Sequence, residues 1–261
     1  LILVVVILSL LSAFGGKSDG QSIGNGTSSA VTEDGKLVIQ DLYEGEITIP
    51  KFNVPLNTYD QSKFKNDNGL VRYDDANASL GIDVSDYQGE IDWAAVKASG
   101  IDFAMIRVGS RCATRGKLNE DSKFADNYTG AKDAGVKVGI YFFSQATTEE
   151  EAREEADFVI ERLKGRNITY PVAYDHERLA DTPGRADDLS PEQMTKNAAA
   201  FCARIQEAGY TPMIYGSMKD LLRYNLPDLA HYNIWLAQYN VNAPTFNQYF
   251  SIWQYSNSGS V

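Results

Sequence analysis

Histidine is almost missing. His176 and His231 are the only two in 261 residues, which excludes a His-rich zinc or di-metal centre. Cysteine is as scarce. Cys112 and Cys202 have neither CxxC nor metal-type spacing and read as free thiols rather than a disulfide framework. Positive charge is also short: 24 Lys and Arg face 35 Asp and Glu, a net charge of −11. No basic stripe is present, so nucleic acid is excluded as partner, and charge alone does not hold the chain to an anionic surface. No GxGxxG or P-loop follows any strand-like run, which argues against a nucleotide fold.

Long apolar runs are lacking too. Leu1 to Phe14 is nearly all apolar but falls short of the roughly 20 residues that span a bilayer. It is expected to be the core of a signal peptide, or the remnant of a signal anchor, with the rest of the chain exported to the cell surface or beyond. The sequence starts without Met, so a longer reading frame is expected. Residues 15–30 are Gly- and Ser-rich and read as a flexible linker. Residues 31–79 carry short strand patterns, Lys36–Gln40 and Glu46–Pro50, and a turn at Asn66-Asp-Asn-Gly69. With few apolar residues, this stretch reads as a stalk packed partly on the main domain.

What is abundant is aromatic: 15 Tyr and 11 Phe. From Leu80 the texture becomes strand then helix, repeated. Strands are expected at Leu80–Ser85, Phe103–Val108, Val136–Phe143, Tyr170–Glu177 and Thr211–Tyr215. Helices are expected over Trp93–Ser99 and Asp121–Ala134, then after a Thr148/Glu151 capping box, and from Ser190-Pro191 to Ala208. Two further strands, Asn233–Tyr239 and Phe250–Tyr255, follow without a long helix between them. Such βα units build a parallel sheet, and the expected fold is α/β: a modified TIM-type barrel of eight strands with about five helices, over residues 80–261.

The stretch Tyr170-Pro-Val-Ala-Tyr-Asp-His-Glu177 carries the chemistry. Side chains alternate along a strand, so Asp175 and Glu177 share a face with Cα atoms about 6.6 Å apart, and His176 faces the other way. Two adjacent acids at a strand end hold one proton between them, which suits general acid catalysis. In a barrel of this type the working face is the C-terminal end of the strands. Asp83, Arg107, Tyr141, Phe143, Asp175, Glu177 and Tyr215 fall there, with Trp235, Tyr239, Trp253 and Gln254 on the last strands. Acids with aromatic faces make the inventory of a sugar-cleaving groove. Each also has a structural reading: Asp83 as a turn cap, Arg107 as an ion-pair partner, the aromatics as core.

Gly81-Ile-Asp-Val-Ser with Gln88-Gly89, Gly139-Ile-Tyr-Phe-Phe, Asp175-x-Glu177 and Trp253-Gln-Tyr-Ser256 resemble, in order, the family 25 glycoside hydrolases, lysozyme-type N-acetylmuramidases. The resemblance covers residues 80–261. It implies a flattened barrel of eight strands and five helices. It also implies cleavage of the β-1,4 bond between N-acetylmuramic acid and N-acetylglucosamine in peptidoglycan by a monomer without cofactor or metal. By position Glu177 matches the general acid, Asp175 the acid that assists the intermediate, Asp83 a third carboxylate and Tyr141 a substrate-facing tyrosine. The charge of Asp175 is expected to raise the pKa of Glu177. Family members continue past the Trp-Gln-Tyr-Ser strand into a glycine-rich turn and an Asp-x-Asn-type segment, so this chain is expected to be part of a longer one. His176 stands where the family usually has an aromatic or aliphatic residue, and a packing change alone is expected there. The competing readings are a non-catalytic peptidoglycan-binding domain, and a chitinase-like barrel, which would carry further aspartates in Tyr170–Tyr174.

Overall fold

A run of β-branched and aromatic residues that alternates small and large across a pleat closes into a barrel when strands of the same direction follow one another. The computed structural model shows how this chain does so. It describes residues 3–8, 30–31, 36–41, 45–49, 53–67, 69–179 and 183–259. In chain order its strands are β1 (Leu3–Leu8), β2 (Ala30–Val31), β3 (Leu37–Asp41), β4 (Gly45–Ile49), β5 (Phe64–Asp67), β6 (Leu70–Tyr73), β7 (Ala78–Val84), β8 (Phe103–Arg111), β9 (Leu118–Glu120), β10 (Lys137–Phe143), β11 (Val172–Asp175), β12 (Pro212–Ser217), β13 (Asn233–Ala237) and β14 (Ile252–Gln254). Its helices are α1 (Trp93–Ala98), α2 (Phe124–Asp133), α3 (Glu149–Leu163), α4 (Pro191–Glu207), α5 (Met218–Leu221) and α6 (Leu226–Leu229).

The seven strands β7, β8, β10, β11, β12, β13 and β14 pair in that order, all parallel. This is the curled parallel sheet expected. The eighth strand comes from an unexpected place. β1 runs antiparallel between β14 and β7 and joins the two edges. These six residues fall within the Leu1–Phe14 stretch expected to be the core of a signal peptide or signal anchor. Their sequence, LVVVIL, is also strongly strand-forming, and an open parallel sheet leaves two unpaired edges for such a segment to satisfy. Among the described residues no helix is long and apolar enough to cross a membrane.

Alternation sorts the core into an inside and an outside. Phe103, Met105, Ala173, Met213, Tyr215, Trp235, Ala237 and Ile252 pack with one another within the barrel, together with Tyr141, Tyr170 and Tyr239. Their sequence neighbours Ala104, Ile106, Val172, Tyr174, Ile214, Leu236 and Trp253 belong to the second cluster, between the sheet and what covers it. α3 supplies Ala152, Ala156, Val159 and Leu163 to that layer, and α4 supplies Met194, Ala198, Phe201 and Ile205.

The helix starts follow their caps. Ser190 Oγ accepts from Gln193 N at 3.2 Å with Pro191 in the first turn, as expected for α4. Thr148 Oγ1 accepts from Glu151 N at 3.3 Å, but the expected capping box is only half made. The Glu151 carboxylate turns instead to Thr147 and to a bidentate pair with Arg185 at 2.8 and 2.9 Å. The helices number six among the described residues, because the four-residue α5 and α6 were not anticipated.

Residues 53–73 lie against the outside of the last strands. Phe64 meets Trp253 edge-on at 5.4 Å, Tyr59 packs on Phe250 at 4.9 Å, and Tyr249 N donates to Pro55 O at 2.8 Å. Both thiols are free: Cys202 is buried and Cys112 half-buried.

The interior leaves no slack on β7. A Cβ at Gly81 would come within 2.0 Å of the Phe103 ring. That ring is itself stacked on Tyr170 at 4.6 Å with an interplanar angle of 5°. Gly81→Ala is therefore expected to cost about 1–3 kcal/mol by overpacking, read as a lower urea midpoint, with partial recovery in Gly81→Ala/Phe103→Leu. An unchanged midpoint would show that the interior yields freely.

Candidate functional site

The inward-facing positions at the C-terminal end of the ring converge on three carboxyls. β7 delivers Asp83, β11 delivers Asp175, and Glu177 follows two residues past it. Asp175 and Glu177 share a face, as expected, and their carboxyls lie within hydrogen-bonding reach of each other. Asp83 and Asp175 are nearly out of water, at 7% and 4% exposure, and Glu177 is partly buried.

Burial sets the electrostatics. Removal from water pushes Asp83 up to about 7, with the nearby Glu177 adding to the rise. Glu177 also rises to about 7, first through burial and then through the charge of Asp220. Asp175 is held well above the carboxylate range by burial, then by Glu177. Asp175 and Glu177 form one pair whose shared proton keeps both above the carboxylate range, and the charge of Asp220, not anticipated, adds to the rise of Glu177. A contact between two carboxyls is favourable only with a proton in it, so the pair carries at least one proton near neutrality.

Asp220 was missed in the sequence. It sits in α5 just past β12, with Ser217 Oγ donating to its Oδ2 at 2.6 Å and its own N–H returning to Ser217 Oγ at 3.1 Å. Its signal was the Ser217-x-x-Asp220 capping pattern directly after a strand of the barrel.

Gln254 orients Asp83. Its Nε2 donates to Asp83 Oδ2 at 2.8 Å, and its Oε1 accepts from Tyr215 at 2.8 Å and from Tyr239 at 2.6 Å. Both acceptor contacts fix the amide so that its NH2 faces the acid. Trp235 forms the floor, edge-on to Tyr215 at 4.6 Å and to Tyr141 at 5.9 Å. Tyr141 lies close enough to sense the charges of Asp83, Arg107 and Asp175. Phe143 is half-buried in register with Asp175. The β10 exit also pins the acidic strand, since Ser144 N donates to Asp175 O at 2.7 Å and Gln145 Nε2 to Glu177 O at 3.5 Å.

Two expected binding residues have other surroundings. Trp253 precedes Gln254 on β14 and so faces the opposite way. It packs on Phe64 and Tyr255, and its Nε1 donates to Gln238 O at 2.8 Å. Successive residues of one strand cannot both enter the barrel mouth. Arg107 does face the mouth, continuing the inward column of Phe103 and Met105. Its charge is engaged, however, by Asp121 at 2.7 Å and by Asp86.

Among the described residues no group of His, Cys, Asp and Glu could hold a metal ion. The three carboxyls bring together a proton to give, a second carboxyl to accept or orient, and aromatic neighbours. That arrangement can protonate a leaving oxygen and stabilise the positive charge left behind.

His176 faces outward, as expected. It is 1% exposed and edge-on to Tyr174 at 6.4 Å, with the Ala186 backbone beside its ring. The consequence is more than a packing change. Burial, then Arg223, lowers its pKa to about 4, with Asp187 opposing. An unfolded imidazole takes its proton near 6.5, and the folded one only near 4. This group therefore removes stability as pH falls through that window. His176→Phe is expected to gain on the parent as pH drops from about 7 to 4, by up to about 3 kcal/mol, in urea midpoints measured across pH. A constant offset between the two proteins would mean that His176 is already charged or hydrated in the fold.

The model of the glycosyl hydrolases family 25 matches residues 82–261. The autolytic lysozyme of Clostridium acetobutylicum is 32% identical over 184 residues, 69% of this chain and 51% of that protein. Lysozyme M1 of Streptomyces globisporus is 30% identical over 205 residues, 72% of this chain and 65% of that one. The chain thus spans half to two thirds of the length of these relatives. Among solved structures, the bacterial lysozyme from Streptomyces coelicolor superposes with a TM-score of 0.56 at 28% identity, over 69% of this chain and 84% of that one.

Proposed function

The chain belongs to the glycosyl hydrolases family 25, and from that membership we propose that it hydrolyses the β-1,4 bond between N-acetylmuramic acid and N-acetylglucosamine in bacterial peptidoglycan. The observation that carries this reading is the cluster of Asp83, Asp175 and Glu177 at one end of the barrel, with Glu177 raised to about 7. Relatives named lysozyme and N,O-diacetylmuramidase support the same substrate.

In this reading Glu177 protonates the glycosidic oxygen of the leaving sugar. It is partly buried and the most open of the three acids, so it can reach the substrate while keeping its proton near neutrality. Asp175 receives and orients the 2-acetamido group of the sugar on the other side of the bond, whose oxygen attacks the anomeric carbon as positive charge develops. The adjacency of the two acids favours this substrate-assisted route. Asp83, held by Gln254, sits on the opposite wall and stabilises the developing charge once it ionises. Water then opens the cyclic intermediate, with Glu177, now a carboxylate, taking the proton. The product keeps its anomeric configuration. Aromatic side chains at the mouth, Tyr141 and Tyr239 among them, bound the groove in which the glycan strand lies. We place the enzyme outside the cell or at its surface, where the wall is, acting as a monomer without a cofactor.

Purified peptidoglycan digested by this protein should yield new reducing-end N-acetylmuramic acid with retained configuration, identified by mass spectrometry and by NMR of early products. Glu177→Gln should lower the rate by about 10²–10⁴-fold while the protein stays folded. An inverted product would exclude substrate assistance. A folded protein that binds the wall and releases nothing would make it a binding domain.

A further inference from the structure

The three carboxyls and their supports leave one prominent side chain at the groove without a task. Tyr87 is 84% exposed. It lies in the short turn Asp86–Gln88 directly after β7, the strand that carries Asp83. A single exposed aromatic is ordinary on a protein surface. What is unusual here is how firmly this one is held out.

The turn is closed by side chains and backbone together. Ser85 Oγ accepts from Tyr87 N at 3.3 Å, and Gln88 Oε1 accepts from Ser85 N at 2.7 Å. Gly89 N donates to Asp86 O at 3.1 Å, and Asp86 N donates to Asp121 Oδ2 at 3.1 Å. The ring is backed as well. The Arg107 guanidinium carbon lies 5.1 Å from its centroid, and Arg107 is itself clamped by Asp121 and Asp86. One side of the ring rests on a fixed cation, and the other meets solvent. Such a surface loses little freedom when a ligand settles on it.

Its position is set by the strand ends: Tyr87 lies four residues past Asp83, and the Arg107 that backs it is in register with Tyr141 on the neighbouring strand. The ring therefore stands at the rim of the barrel end that carries the acids. We propose that Tyr87 is a stacking platform for a sugar ring of the bound glycan strand beyond the cleaved bond, and that it takes a neutral N-acetylglucosamine unit. This rests on the muramidase reading, which puts a glycan in the groove. A pyranose presents an apolar C–H face that matches the open side of the ring. The charge nearby decides between the two sugars of the strand. Asp86 and Asp121 outnumber Arg107, so the platform disfavours the unit whose lactyl group carries an acidic peptide.

The test uses N-acetylglucosamine oligomers from disaccharide to hexasaccharide, titrated calorimetrically into the full chain carrying Glu177→Gln, so that nothing is cleaved. Tyr87→Ala and Tyr87→Trp are made in the same background. Affinity is expected to step up at the length that reaches the platform. Tyr87→Ala should remove that step, a loss on the order of tenfold for the longest oligomers, and leave the shortest unchanged; Tyr87→Trp should keep it. Equal affinities for Tyr87→Ala and its parent at every length would overturn the platform while the groove stands. Failure of every oligomer to bind the parent would remove the groove and the platform together. Loss of short and long oligomers alike in Tyr87→Ala would also overturn it, since that pattern means a disturbed site.

Discussion

A carboxyl group taken out of water keeps its proton, and this site is built around doing that to three of them at once. Asp83, Asp175 and Glu177 are each raised chiefly by burial, with the charge of a neighbouring carboxylate second or later among the causes. The arrangement costs stability, because each acid would ionise freely in an unfolded chain at neutral pH. The barrel tolerates the cost through the hydrogen bonds that remain. Gln254 donates to Asp83, Tyr215 and Tyr239 fix Gln254, and the β10 exit holds the backbone of Asp175 and Glu177. The interior of close-packed aromatics below supplies the low-polarity floor.

The two-residue period of the strands is what separates chemistry from packing. On β11, Ala173 and Asp175 face inward while Val172 and Tyr174 face α4. On β14, Gln254 enters the site and Trp253 anchors the preceding hairpin. One residue of slip on either strand would exchange the two sets, placing Trp253 in the groove and a carboxyl against a helix. The register is secured by the bulk of Phe103 and Trp235 inside and by the apolar faces of α3 and α4 outside.

Much of this was legible. Alternation gave the shared face of Asp175 and Glu177 and the outward turn of His176. Ser190-Pro191 gave the start of α4, and seven of the eight ring strands lie where β-branched and aromatic runs placed them. What escaped had no period to reveal it. Asp220 and Tyr87 are single residues in the one-turn elements that follow strand ends, where only the closed barrel shows what they approach. α5 and α6 are one turn each, too short for an apolar stripe. Residue type alone points Trp253 to the site, but its strand position next to Gln254 turns it outward onto Phe64 and Tyr255. The strand β1 was not anticipated, because an apolar run such as LVVVIL suits a sheet edge as readily as a signal core. The contribution of Asp220 to the raised Glu177 comes from more than 40 residues away, where no local pattern points to it.

The central claim is that Glu177 still holds its proton near neutrality because of where the barrel puts it. The most direct measurement is the side-chain carboxyl titration of Glu177 by ¹³C NMR in the folded protein, assigned with Glu177→Gln and repeated in Asp220→Asn. The account predicts a midpoint near 7 that moves down when the Asp220 charge is removed. A midpoint in the ordinary carboxylate range, unmoved by that substitution, would contradict it.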